Sequence, residues 1–333
     1  MLEDRRSEIL RALVEEHIRS GEPVSSRAIV ERAHLAVSTA TVRNDLAALE
    51  SEGFVIQPHT SAGRVPTAAA YRYYVDHLGP GRLRATAQAK IDSFFGDVHL
   101  ELSKLLKETS DLLAEVTDLP SVVVAPTLRN DRVRAMHSVQ VTADQLLLIV
   151  VTDGGRVLQQ RARVRVPITP GDLEEAHRMM SAAVVGTNLG AEPMLSDEVL
   201  GRLEEPIREA VLTMNDGLHL AATTGAEVYV GGTQRLTSVW EDLSAVQRIL
   251  EVLAREAEVM NILAVASGTS IQIGAELPVQ DVDLAVVSKS YEAGASGGSV
   301  GVIGPMRMNY KRAISAVEEV SRELEDRISA EQD

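Results

Sequence analysis

"SSRAIVERAHLAVSTATVRNDLAALESEGFVIQPHTSAGRVPT" runs from Ser25 to Thr67, and the punctuation of this stretch decides the fold of the N-terminal quarter. Ser25 stands where a helix wants a hydroxyl cap, with Ile29 and Ala33 four apart behind it. The short connector "HLAV" leads to Ser38, a second cap. Val42, Leu46 and Leu49 then share one helical face by their spacing, which turns Ala40, Thr41, Arg43, Asn44 and Ala47 outward. Gly53 closes that helix, "FVI" predicts a short strand, and Thr67 predicts the cap of a further helix with Tyr71, Tyr74, Val75 and Leu78 as its apolar stripe. Upstream, Ile9, Leu10, Leu13, Val14, His17 and Ile18 mark one face of a helix over residues 4–20, with Gly21 at its end. Two helices, a turn, a helix, a strand, a loop and a last helix make a winged helix-turn-helix over residues 1–80.

In that arrangement the second helix of the pair enters the major groove of DNA, N-terminal residues first. Ser38, Thr39, Thr41, Arg43 and Asn44 form the candidate reading set. Arginine can hold guanine bidentately, asparagine can do the same with adenine, and hydroxyls serve bases or phosphates. Ser25, Ser26 and Arg27 open the preceding helix, where backbone N–H groups and the dipole suit a phosphate. The loop contributes His59, Thr60, Ser61, Gly63 and Arg64 as candidates for backbone contacts. A solvated polar face is the bland alternative for the helix, and a plain N-cap explains Ser25 equally well. A catalytic His-Thr-Ser cluster is the alternative for the loop. It is disfavoured because no carboxylate in the window orients the histidine, and sequence neighbours rarely align as base and nucleophile.

Charge is segregated along the chain. The whole is acidic, with a net charge of -15 and a pI near 5.1, which argues on average against a nucleic-acid partner. Yet residues 53–75 carry no Asp or Glu and hold His59, Arg64 and Arg72. Cysteine is absent, which excludes disulfides, thiolate nucleophiles, zinc ribbons and iron–sulfur clusters. No GxxxxGK[ST], GxGxxG, GxSxG or HExxH occurs, so no catalytic residue, metal ligand or cofactor is assigned and the chain is not read as an enzyme. The longest apolar run, Leu146 to Val151, is far short of the roughly 20 residues that span a bilayer, and the first residues mix both charge signs. A cytoplasmic protein with no membrane partner is expected.

Beyond residue 80, apolar positions 91, 95, 98, 102, 105, 112, 116 and 119, with Thr109 in the remaining slot, predict a linker helix of four heptads over 81–120, either packed in an intramolecular bundle or also paired with a second subunit. After Pro120 the texture becomes β-rich, then helical around 171–188 and 197–222, then strand-rich again before a final helix. Strands, a helical stretch and strands again predict an α+β domain, 121–165 with 263–333, interrupted by an insertion at 166–262. "SYEAGASGGS" reads as a flexible loop, and "GPMRMNYKR" (Gly304 to Arg312) as a tie between strand and helix, with Arg307, Tyr310 and Lys311 as possible partner contacts.

"ATVRNDLAALESEGFVIQPHTSAGRVPTAAAYRYYVD" (Ala40 to Asp76), "VYVGGTQRL" (Val228 to Leu236) and "GVIGPMRMNY" (Gly301 to Tyr310) resemble the heat-inducible transcription repressor HrcA family. The resemblance covers nearly the whole chain. It implies a homodimeric repressor whose α+β domain is GAF-like and whose insertion is a dimerisation domain. It further implies an inverted-repeat operator, the CIRCE element, upstream of chaperone operons, and a GroE-type chaperonin that supports the active form. The first alternative is a transcription regulator switched by a small molecule in a pocket of the GAF-like domain. A second, an enzyme with the winged helix as an interaction module, lacks a candidate site.

Overall fold

The computed structural model describes residues 4–33, 37–59, 62–97, 102–126, 131–191, 195–224, 227–240, 242–263, 268–278, 283–293 and 296–330. Three helices come first: α1 (Asp4–Ser20), α2 (Ser26–Ala33) and α3 (Thr39–Ser51). Ile9, Leu10, Leu13 and Val14 of α1, Ile29 of α2, and Val42, Leu46 and Leu49 of α3 are all buried. Burying such a side chain contributes roughly 1.5–3 kcal/mol, so these residues lock the three helices together. Both serines cap as expected: Ala28 N–H donates to Ser25 Oγ at 3.2 Å and Thr41 N–H to Ser38 Oγ at 3.1 Å. Gly53 follows α3 with φ +81, the left-handed conformation that suits glycine.

β1 (Val55–Ile56) and β2 (Val65–Pro66) pair antiparallel, Val55 opposite Pro66, and α4 (Ala68–Asp76) follows. Thr67 occupies the N-cap position of α4, but its side chain makes no cap bond. Its hydroxyl instead donates to the carbonyls of Gly53 at 2.8 Å and Phe54 at 3.0 Å, closing the base of the wing.

The expected linker helix is two helices, α5 (Ala85–Asp97) and α6 (Leu102–Thr117). Ile91 and Phe95 are buried in α5, and Leu105, Thr109, Leu112 and Val116 in α6, while Val98 lies outside the described residues. Lys90 pairs with Glu115, so the helices run side by side. A heptad spacing marks the buried face of each helix without requiring that one helix carry it all, and Gly96 weakens the region where continuity was needed.

The remaining elements are β3 (Ser121–Val124), β4 (Val133–Thr142), β5 (Gln145–Thr152), β6 (Val157–Arg163), α7 (Pro170–Val184), α8 (Asp197–Leu200), α9 (Glu205–Thr224), β7 (Val228–Gly231), α10 (Leu236–Val239), α11 (Leu243–Leu253), α12 (Glu256–Leu263), β8 (Thr269–Ile273), β9 (Leu284–Ala293), β10 (Ser296–Pro305) and α13 (Tyr310–Ala330). They form an α+β architecture. The chain divides into two compact units, one of Met1–Val123, Tyr229–Ser290 and Ser299–Leu324, the other of Val124–Val228, Tyr291–Gly298 and Glu325–Asp333.

The first unit carries, beside the winged helix, a five-stranded sheet of order β7-β3-β10-β9-β8. The Ser321 hydroxyl donates to Ser290 O at 3.1 Å, tying α13 to β9, and Ser121 ties β3 to Ser110 of α6. Val317, Val320 and Leu324 form the buried stripe of α13. The second unit holds an antiparallel sheet of order β4-β5-β6. One of its faces shares a core with α7 and α9 through Met136, Leu148, Val150, Met180, Met214 and Leu218.

This division differs from the borders at 165/166 and 262/263, because β4–β6 lie upstream of 166 yet pack with the helices downstream of it. A strand's own pattern does not say which sheet it joins. The glycine-rich stretch after β9 also differs from the expected loop. Strand β10 begins at Ser296, and a Cβ on Gly298 would lie 2.4 Å from Val124 O and 2.5 Å from the Tyr291 ring. Glycine there permits close packing inside the second unit.

Candidate nucleic-acid interface

The candidate recognition helix is α3. Its cap Ser38 accepts from Thr41 N–H and lies 3.0 Å, hydroxyl to hydroxyl, from Thr41. Thr39, Arg43 and Asn44 are exposed and Thr41 is half-buried. Neither Arg43 nor Asn44 has a side-chain partner among the described residues, so a guanidinium and an amide stand free on adjacent positions of an outward face.

The opposite face of α3 is held by charge as well as by packing. Asp45, only 4% exposed, receives Arg5 in a fork, Nε to Oδ2 at 2.9 Å and NH2 to Oδ1 at 3.0 Å. Arg6 Nε approaches Oδ1 at 3.7 Å while its NH1 reaches Glu52 at 3.1 Å. The Arg5 hydrogen bonds hold the Asp45 carboxyl below the usual aspartate range, against the opposing effect of burial. Two turns of α3 are thereby fixed to the start of α1. The one sequence signal of Asp45 is a carboxylate on a helix whose outward face is neutral or basic.

The wing is seated on the loop before α2. Val24 N–H donates to Arg64 O at 2.9 Å and Arg64 N–H to Val24 O at 2.8 Å. A Cβ on Gly63 would lie 2.4 Å from Val24 O, so this approach requires glycine. The Arg64 guanidinium, 18% exposed, turns inward and pairs with Glu50 of α3 at 2.9 Å. His59 is exposed, and its carbonyl accepts from Ala62 N–H at 2.9 Å. Thr60 and Ser61 lie outside the described residues. On α2, Ser26 is half-buried and Arg27 is exposed, its Nε donating to Glu31 at 2.9 Å. The structure thus leaves Thr39, Arg43 and Asn44 unpartnered on one surface, whereas Arg27 and Arg64 already hold carboxylates.

Arg72, also in the acid-free window, faces the body of the first unit. Its Nε donates to Glu276 at 2.8 Å and its NH2 to Ile271 O at 2.6 Å. Beside it Tyr71, 2% exposed, holds His17 Nδ1 at 2.7 Å from its hydroxyl and packs its ring near that of Tyr310, so α4 joins the winged helix to the sheet. Burial pushes the His17 imidazole below its ordinary range, and the charge of Arg307 acts in the same direction.

A capped helix with free outward-facing polar groups, clamped to a three-helix core and flanked by a two-stranded wing, defines a winged helix-turn-helix DNA-binding protein. Residues 1–76 match the winged helix-turn-helix transcription repressor, HrcA DNA-binding family, and residues 103–314 match the HrcA protein C terminal domain. The chain belongs to the heat-inducible transcription repressor HrcA family, whose members are repressors and not enzymes. It is 36% identical to the HrcA repressor of Rhodococcus jostii over 96% of both chains, and 37% identical to that of Acidothermus cellulolyticus over 97% of both. The HrcA repressor of Halalkalibacterium halodurans is 36% identical over 97% of both. A crystal structure of a hypothetical protein shares the fold, with a TM-score of 0.61 at 23% identity over 99% of this chain and 100% of that one. Among the described residues no helix is long and apolar enough to cross a membrane.

Proposed function

We propose that this repressor binds an inverted-repeat operator of the CIRCE type upstream of chaperone operons, as a homodimer that sets one α3 in each half-site. The observation that carries the reading is the free pair Arg43 and Asn44 behind the Ser38 cap, on a helix that Asp45 holds rigidly to α1. Base readout falls to Ser38, Thr39, Thr41, Arg43 and Asn44, and phosphate contacts to the wing and to Ser26 and Arg27 at the start of α2. Arg27 and Arg64 would exchange a carboxylate for a phosphate. The Arg27 pair is solvent-exposed and readily exchanged, whereas the Arg64 guanidinium would have to turn outward from Glu50.

The homodimer is supported by the second unit. The outer face of its sheet exposes Val139 (48%), Val141 (50%) and Val157 (59%), with Leu147, Ile149 and Val151 half-buried between them. An apolar strip on a sheet face that also carries the exposed His137, Gln159 and Arg161 is the kind of surface that a second copy covers. By resemblance to the family, a GroE-type chaperonin supports the DNA-binding form, the C-terminal α+β region is GAF-like, and the protein acts in the cytoplasm.

The test is operator binding by the purified chain, measured by fluorescence anisotropy against a scrambled duplex, with and without the chaperonin. A specific Kd at least a thousandfold below the non-specific one, improved by the chaperonin, is expected. Equal binding to the two duplexes would remove the operator reading.

A further inference from the structure

A cleft of about 1060 Å³ opens in the first unit beneath the wing. Ile56, Val65 and Pro66 of the two wing strands form one wall with Ala68 and Tyr71 of α4. Val239, Trp240, Ala245 and Arg248 of the α10–α11 region form another, and Arg307 lies where β10 leads into α13. Its size is that of a small-molecule site, for which roughly 300–1,000 Å³ is usual.

Particular donors of this cleft lack acceptors among the described residues. Trp240 is 7% exposed, and its indole N–H has no hydrogen-bond partner among the described residues. An orphaned buried donor costs about 1–3 kcal/mol, so it asks for an acceptor. Arg248 Nε is orphaned in the same way; its NH1 reaches only Ser244 Oγ at 3.3 Å, and its NH2 stands 4.0 Å from Asp242. Among the described residues Arg307 makes one long bond, NH2 to Val239 O at 3.4 Å. Gly21, at φ +73, makes room for that guanidinium, since a Cβ there would lie 3.3 Å from Arg307 NH1.

Two carboxylates also line the cleft. Asp242 already caps α11, accepting Ser244 N–H at 2.9 Å and the Ser244 hydroxyl at 2.8 Å, and Asp283 is exposed. What is missing is an acceptor set against an apolar wall.

We propose that this cleft binds an amphipathic organic anion, a carboxylate on an aromatic-sized apolar body, with the anion held by Arg307, Arg248 and the Trp240 N–H and the body held against Ile56, Val65 and Ala245. The occupant touches the wing itself, so binding shifts operator affinity by its differential affinity for the DNA-competent arrangement. The coupling rests on the operator reading; the site does not.

Trp240 is the single tryptophan of the chain and therefore a built-in reporter. The full chain is titrated with 1-anilinonaphthalene-8-sulfonate, an aromatic sulfonate, while energy transfer from Trp240 is followed, and 2-naphthoate is then added as competitor. Saturable transfer at one site per chain, displaced by 2-naphthoate, is expected. Affinity should fall at least tenfold in Arg307→Ala/Arg248→Ala and be lost in Ala245→Phe, with far-UV circular dichroism unchanged in both. Transfer that never saturates, or that survives Ala245→Phe in the folded variant, overturns the site. Saturating 2-naphthoate should also change the operator Kd at least threefold; an unchanged Kd overturns the coupling. A chain that ignores the operator altogether fails the repressor reading, while the Trp240 titration still decides the cleft.

Discussion

At the scale of single residues, α3 separates two kinds of side chain that look alike in the sequence. Arg43 is exposed and unpartnered among the described residues, whereas Arg5 and Arg6 converge on the buried Asp45. Arg43→Ala should therefore cost about 1–3 kcal/mol on the operator and little on random duplex, with thermal stability unchanged, because a bidentate base contact carries discrimination and little else. Anisotropy titrations on both duplexes decide it, and equal losses on the two would sink its assignment as a base reader. Asp45→Asn should do the reverse, lowering stability by about 1–3 kcal/mol, since two guanidinia lose their charged acceptor. The pH dependence has a definite sign. Asp45 titrates lower in the fold than in the unfolded chain, so its contribution is complete above the ordinary aspartate pKa of about 3.9 and is lost as pH falls through the depressed folded value. Urea unfolding of the two proteins should differ at pH 7 and converge in acid.

At the scale of elements, the wing shows what glycine contributes beyond flexibility. Gly63 allows the backbone of β2 to meet the loop before α2, and the Cβ of Gly63→Ala would be forced onto the Val24 carbonyl. That variant should lose about 1–3 kcal/mol of stability and move the wing, weakening operator and random duplex alike. A thermal melt together with the two anisotropy titrations checks both effects; wild-type stability would show that the wing accommodates the methyl elsewhere. The helix order of the reading head and its caps at Ser25 and Ser38 were legible because local rules govern them: spacing, hydroxyls and a positive-φ glycine. The inward turn of Arg64 was not, since Glu50 lies on the preceding helix and only the folded register of β1 and β2 sets the two together. The same limit hid Asp45 behind residues forty positions upstream. It also hid that residues 85–97 and 102–117 are two helices lying side by side, since each keeps the heptad spacing.

At the scale of the whole molecule, the proposed homodimer would account for a pattern that one chain leaves half explained. Leu146 to Val151 is apolar at every position, the signature of a strand covered on both faces. One face is covered: Leu146, Leu148 and Val150 are buried against α7 and α9. The other presents Leu147, Ile149 and Val151 beside the exposed Val139 and Val157, which register places directly across from Leu147 and Val151. Ile149→Asp puts a charge at the centre of that face without touching the core beneath, so the variant should fold with nearly unchanged circular dichroism. Light scattering should show a dimer for the parent chain and a monomer for the variant. Operator affinity should then drop toward that of a single half-site, because two linked reading heads gain from effective concentration what one head cannot. A dimer that survives Ile149→Asp would move the interface off this sheet. A monomer that keeps full operator affinity would separate dimerisation from DNA reading and leave one α3 to carry recognition alone.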